Sequence, residues 1–183
     1  MPKPPSGQFD QLVAPHLEIL FRMAWRLVRN TADAQDLVQD TCVVACGNLP
    51  ALAVADSPLR WLLRVQHNRF IDEYRRRGRS PVVTHEEPEV ATLISDLPDP
   101  EHLMQQFQSE QLLEQAFLRL DEMQRTVLSL RAEGYELPEI EAITGVDRNV
   151  LSARLHRARL RLAQLVNDMN REAGPIRHIG RRS

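Results

Sequence analysis

Cysteine, tryptophan and tyrosine each occur only twice in this 183-residue chain, and glycine only seven times. Each scarcity excludes something. Cys42 and Cys46 are one helical turn apart on a predicted helix, a poor geometry for a disulfide, and no second cysteine pair completes a zinc site. Both are expected to be small buried hydrophobes. The six histidines form no ligand-like cluster in the sequence, so no metal or other cofactor is expected. No apolar run reaches the ~18 residues of a membrane span, and the opening MPKPPSGQFD lacks the apolar core of a signal peptide. No membrane insertion and a cytoplasmic location are the expectation. No stretch carries a convincing strand pattern, which leaves an all-α chain.

The formal charge of −2 gives no hint of a polyanionic partner. Its distribution does. Arg60, Arg64, Arg69, Arg75, Arg76, Arg77 and Arg79 crowd one segment, and Arg148, Arg154, Arg157, Arg159 and Arg161 another. Between them, Pro81 to His102 has no Lys or Arg but carries Glu86, Glu87, Glu89, Asp96, Asp99 and Glu101. Two basic surfaces joined by an acidic connector is a field pattern that the net value hides.

The stretch Gly134 to Leu162 organises the C-terminal half. Leu137 to Thr144 reads as a short helix with Pro138 in its first turn, where a missing N–H costs nothing. Gly145 turns the chain, and Asp147 can cap the helix that follows. There Leu151, Leu155, Ala158, Leu162 and Leu165 recur as one apolar stripe, while Arg148, Asn149, Ser152, Ala153, His156 and Arg157 point the other way. A short helix, a glycine turn and a longer helix with a basic outer face is the helix-turn-helix plan for reading a major groove.

Upstream, Phe9 to Val28 has helical apolar period, interrupted at Pro15, where a kink or a restart is expected. Thr31 or Asp33 is expected to open the next helix, which buries Ala34, Leu37, Val38, Thr41, Cys42 and Ala45 and stops near Gly47. Asn48 to Ser57 reads as a loop with several apolar residues, a folded lid or a ligand-contacting tip. Ser57 and Pro58 start a helix to about Arg77. On it Arg64, Asn68, Arg75 and Arg79 share one narrow arc, a spacing suited to phosphates, with Asn68 able to read a base edge. Trp61 lies near that arc and either stacks on an unpaired base or packs under the preceding loop. After Arg79 the prolines and acids read as a linker to about Met104. A helix resumes at Gln105, and another short one runs from Gln124 to Arg131. The divisions expected are 7–79, a flexible acidic linker over 80–104, 105–172, and a flexible basic tail over 173–183.

The segment Ala34 to Thr41, AQDLVQDT, resembles the AEDLVQET stretch of bacterial sigma factors of the extracytoplasmic-function (ECF) group. Trp61 to Arg77, WLLRVQHNRFIDEYRRR, is similar to their WL-x-x-I-A-x-N-x-x-I-D-x-x-R-R-x pattern. In the C-terminal half Leu120, Arg125, Val127, Leu128 and Leu130, then Tyr135, Glu139 and Ile140, then Arg154, Leu155, Arg157, Ala158 and Arg159 match the family's order. The chain departs from it at Asn149, Val150, Ser152 and Ala153, where glycine, threonine, lysine and serine are usual. It departs also at Glu141, where a small alanine is usual. A carboxylate there must reach solvent or a partner.

What the resemblance implies is a factor that is not an enzyme. It binds core RNA polymerase, recognises −35 and −10 promoter elements and melts the DNA. Asp36, Leu37, Gln39, Asp40 and Thr41 fall where relatives contact the polymerase clamp. Trp61, Arg64, Asn68, Arg75, Arg76 and Arg79 fall at the −10 element, and Arg148, Asn149, Ser152, Ala153, His156 and Arg157 at the −35 duplex. An anti-sigma factor is the further partner implied. Three rivals make other demands. A decoy that only occupies an anti-sigma factor has no need of an aligned basic arc, and a stand-alone helix-turn-helix regulator leaves the N-terminal half unexplained. A metal enzyme built on Asp33, Asp36 and Asp40 lacks His or Cys partners nearby.

Overall fold

The computed structural model describes residues 6–76 and 110–173; among them there is helix and turn but no strand. The expected linker, Arg77, Arg79, Phe107 and all of the expected tail beyond Ala173 lie outside the described residues.

The N-terminal unit is built from α1 (Ser6–Leu12), a 3-10 turn (Ala14–His16), α2 (Leu17–Val28), α3 (Thr31–Gly47), α4 (Leu49–Ala53) and α5 (Pro58–Arg76). Pro15 sits inside the 3-10 turn, so the helical pattern breaks and restarts there as its missing N–H requires. Helix α2 buries Leu20, Met23, Ala24 and Leu27 along one face. It ends on Arg29 in the left-handed region, φ 54°. A guanidinium stacked 4.6 Å from the centroid of the Trp25 ring helps hold that unusual backbone.

Helix α3 opens at Thr31, the first of the two starts expected. The cap is Asn30, whose side chain accepts the Asp33 backbone N–H at 3.0 Å. A cap must lie outside helical φ and ψ, and Asn30 does, at −141° and 130°. The apolar loop Asn48 to Ser57 is corrected in part. Pro50 falls in the first turn of α4, where proline is tolerated, and Leu49 and Leu52 turn into the core. Val54, beyond the helix, is 83% exposed. Ser57 then caps α5, its Oγ accepting the Arg60 N–H at 3.3 Å.

The C-terminal unit contains α6 (Glu110–Leu118), α7 (Glu122–Ala132), α8 (Leu137–Thr144) and α9 (Arg148–Ala173). Helix α7 starts earlier than Gln124. Asp121 accepts the Gln124 N–H at 2.7 Å and Gln124 Oε1 accepts the Asp121 N–H at 3.2 Å, a reciprocal capping box. Gly145 closes α8 at φ 73°, and Asp147 accepts the Asn149 N–H at 2.8 Å to open α9. The helix-turn-helix is therefore formed by the residues that its sequence named.

The two units pack against each other. Leu20, Leu62 and Leu63 from the first share a buried cluster with Leu130, Ile140 and Ile143 from the second. A smaller cluster joins Ala24, Leu27, Ala34, Leu37, Phe70 and Ile71 beneath α3. Fully burying each large aliphatic side chain stabilises by roughly 1.5–3 kcal/mol. The core thus crosses the boundary between the units and fixes where α5 and α9 stand.

Candidate nucleic-acid and polymerase interfaces

Helix α5 divides cleanly. Leu62, Leu63, Gln66, His67, Phe70 and Ile71 are buried, and Arg64, Asn68, Arg75 and Arg76 are exposed. Gln66 is 1% exposed and donates from Nε2 to the Leu20 carbonyl at 2.9 Å, which ties α5 to α2 and sets its rotation. The arc of Arg64, Asn68 and Arg75 consequently faces water. Arg76 pairs with Glu73 one turn back. Trp61 is half-buried and packs on the core, which favours its packing role over a free stacking platform.

On α9, Leu151, Leu155, Ala158 and Leu165 are buried as the stripe requires, with Leu162 partly so. Arg148 and Asn149 are exposed; Ser152, Ala153, His156 and Arg157 are half-exposed along the next two turns. Glu141 finds a partner rather than bare solvent. Its Oε1 accepts the Arg148 backbone N–H at 3.3 Å, and its Oε2 lies 4.0 Å from Arg148 Nε. A carboxylate at this helix start complements the dipole and the unsatisfied N–H groups there. It also places an acid beside the first basic residue of the outer face of α9.

On α3, Asp36, Gln39 and Asp40 are exposed, but Leu37 and Thr41 are not. Leu37 belongs to the smaller core cluster, and Thr41 donates its hydroxyl to the Leu37 carbonyl at 2.8 Å from a fully buried position. Leu37 and Thr41 therefore lie beneath the exposed acids of α3, not on the surface where they were expected. Cys46, expected to be buried, is exposed; Cys42 is half-buried, and both are free. Burial, then the neighbouring Cys46, pushes the Cys42 thiol pKa up. The exposed acids form one wall of a groove of about 710 Å³. Arg69 and Tyr74 of α5 line it, and so do Leu118 and Arg125 of the C-terminal unit.

Several residues that the sequence gave no role converge where the units meet. Arg125 donates from Nη1 to the Leu27 carbonyl at 2.9 Å. Its guanidinium carbon stands 4.6 Å from the Tyr74 ring centroid and 5.2 Å from that of Phe70. Burial lowers its pKa, while Tyr74, Glu122 and Asp121 act to raise it. Glu133 accepts from Arg22 Nε at 3.1 Å and pairs with Arg26 Nε at 2.8 Å. Arg29 lies 5.3 Å over the Phe117 ring. His67 Nδ1 is 3.4 Å from the Thr126 hydroxyl, and burial depresses its pKa to about 4. These pairings join residues from 51 (Arg125 and Tyr74) to 111 (Arg22 and Glu133) positions apart, so no local pattern announces them. Among the described residues no group of three or more His, Cys, Asp or Glu side chains could hold a metal ion, and no helix is long and apolar enough to cross a membrane.

An all-helical chain with two basic helices, one of them in a helix-turn-helix, defines a class of DNA-engaging proteins before any comparison is made. The family models for Sigma-70 region 2 and Sigma-70, region 4 match residues 12–80 and 110–162. The RNA polymerase sigma factor YlaC of Bacillus subtilis is 30% identical over 155 residues, covering 84% of this chain and 88% of YlaC. The ECF RNA polymerase sigma factor SigE of Mycolicibacterium smegmatis is 31% identical over 155 residues, covering 84% of this chain and 60% of that longer protein. The sigma factor RpoE of Bartonella quintana, solved with the anti-sigma factor NepR, superposes with a TM-score of 0.62 at 27% identity, covering 87% of this chain and 96% of RpoE. The chain belongs to the ECF group of the sigma-70 family, alternative transcription initiation factors.

Proposed function

We propose that the chain acts from the cytoplasm without chemistry of its own, placing core RNA polymerase at a promoter through three faces. Asp36, Gln39 and Asp40 on α3 offer an acidic, partly apolar surface to a basic coiled coil of the polymerase. Arg64, Asn68 and Arg75 on α5 take the −10 element: the arginines hold phosphates, and Asn68 reads an unpaired base. Arg148, Asn149, Ser152, Ala153, His156 and Arg157 on α9 face the −35 duplex, with Arg157 able to bond guanine O6 and N7 together. Arg76 at the end of α5, and Arg79 beyond the described residues, would add phosphate contacts. The units 7–79 and 105–172 would then move as separate bodies on the linker 80–104.

The observation that carries this reading is the clean division of α5. Gln66 is locked inward, and the basic arc with Asn68 at its centre is left in solvent. Melting a base pair costs a few kcal/mol, which stacking and hydrogen bonds to the extruded base offset. The test is run-off transcription over a genomic library with purified core polymerase. Promoter-specific transcripts that depend on this chain are expected; their absence, with no co-elution of chain and core, defeats the reading. An anti-sigma factor is a further proposed partner, by analogy with the complex in which RpoE was solved.

A further inference from the structure

Cys42 and Cys46 take no part in the three faces. Both are free thiols on α3, Cys42 half-buried against the main core cluster and Cys46 exposed. Residues four apart share a helix face, with Cβ atoms about 5–6 Å apart. A disulfide needs those atoms within about 3.5–4.5 Å. Helix α3 runs unbroken to Gly47, so its backbone keeps the two sulfurs from bonding each other. The same separation suits a bridge. With metal–sulfur bonds of about 2.3 Å, one ion holds two sulfurs as much as about 4.6 Å apart. Two side chains leaning together from neighbouring turns span that distance with the helix intact.

The surroundings favour a cation. Helix α3 carries Asp33, Asp36 and Asp40 but no Lys, Arg or His, so its own field is negative. The thiols also sense each other: after burial, Cys46 is what raises the Cys42 pKa. A positive ion between the sulfurs turns that repulsion into attraction. Half-burial shelters one bond from water, and exposed Cys46 leaves a way in. Ligand count then narrows the ion. Among the described residues no group of three or more His, Cys, Asp or Glu side chains could hold a metal, which leaves no place there for Zn²⁺ with its four tetrahedral ligands. Two thiolates alone fit a soft ion of low coordination number, and soft sulfur ligands select Cu(I).

We propose that Cys42 and Cys46 form a two-coordinate site for a soft monovalent cation of the Cu(I) class. Each thiol releases its proton to solvent as its sulfur takes the metal, and no electron moves. The site stands whether or not the chain acts at a promoter. Cu(I) would be titrated without oxygen into the full chain against a coloured Cu(I) chelator, with circular dichroism checking helical content. The proteins compared are wild type, Cys46→Ala, and V43C/C46A. The last keeps two thiols but sets them at adjacent positions, which do not face each other on a helix. Val43 is 65% exposed and Cys46 is exposed, so neither change disturbs the core. Wild type should take one Cu(I) per chain, with two sulfur neighbours by X-ray absorption. It should hold the ion about 100-fold or more tightly than either variant, because a second tethered ligand acts at high effective concentration. A wild type that binds no Cu(I), one ion shared between two chains, or a Cys46→Ala chain that binds as tightly as wild type would each overturn the site. So would V43C/C46A matching wild type, which would show adventitious thiol binding only.

Discussion

Helix α5 presents its arc with Arg64, Asn68 and Arg75 in open solvent, whereas α9 presents a face whose first turn is already held from within. Asp147 caps it, and Glu141 holds the Arg148 backbone and flanks its guanidinium. Free arginines lose up to about 2 kcal/mol of rotamer entropy when they are ordered, and a pre-held one loses less. A melted strand has no fixed geometry, so mobile side chains suit it. A duplex does have one, and a preset helix start suits that. The comparison teaches that one chain tunes its basic surfaces separately, adaptable at one end and rigid at the other.

The largest effect expected concerns the buried side of α5. His67 is held neutral, with a pKa of about 4 against 6.5 in the unfolded chain. A lowered folded pKa means that the unfolded chain binds more protons between those values. Its contribution is complete above pH 6.5 and lost as pH falls toward 4, up to about 3 kcal/mol. Thermal melts of wild type and His67→Gln from pH 7 to 4.5 should diverge over that window, and parallel curves would show His67 to be accessible. Next, Arg157→Ala should cost about 1–3 kcal/mol on a cognate −35 site and relax preference at one base pair. Isolated duplex variants would read this, and a uniform loss would demote Arg157 to a phosphate contact. Asn68→Ala should lower promoter opening, seen by permanganate reactivity, and leave polymerase affinity unchanged; equal loss of both would mean a structural role.

Smaller still is Glu141→Ala. It removes a helix-start acceptor worth about 0.5–1 kcal/mol and frees Arg148, so the salt slope of −35 binding should steepen by about one unit. An unchanged slope would mean that Arg148 points away from DNA, and the contrast between α5 and α9 would lose its main support. Arg161→Ala should do least, weakening all duplexes alike or none.

What was legible in the sequence was local. The Gly145 turn, the Asp147 cap, the break at Pro15 and the buried stripe of α9 each depend on residues within a turn or two of one another. The exposed arc of α5 was legible for the same reason, because helical period alone places Arg64 and Asn68 together. Thr31 was legible as the opening of α3, but its cap, Asn30, needed backbone angles, because Asn30, Thr31 and Asp33 are chemically alike as caps. Leu49 and Leu52 read as loop because a helix as short as α4 leaves too few turns to show a period. Arg125 and Glu133 could not be assigned. Their partners, Leu27 and Arg22, lie 98 and 111 residues away, and a side-chain contact at that distance leaves no spacing to find.

The Gln66 amide has a consequence in mechanical terms. If Asn68 takes the extruded base as proposed, the pull on it is sideways, and a sideways pull on a helix surface is a torque about its axis. The bond from Gln66 to the Leu20 carbonyl is a peg set against that rotation, on the face away from the load. It passes the torque to α2, the helix that also carries Arg22, Arg26 and the Leu27 carbonyl. Such a load would thus be delivered to α2 instead of being absorbed by a turning helix.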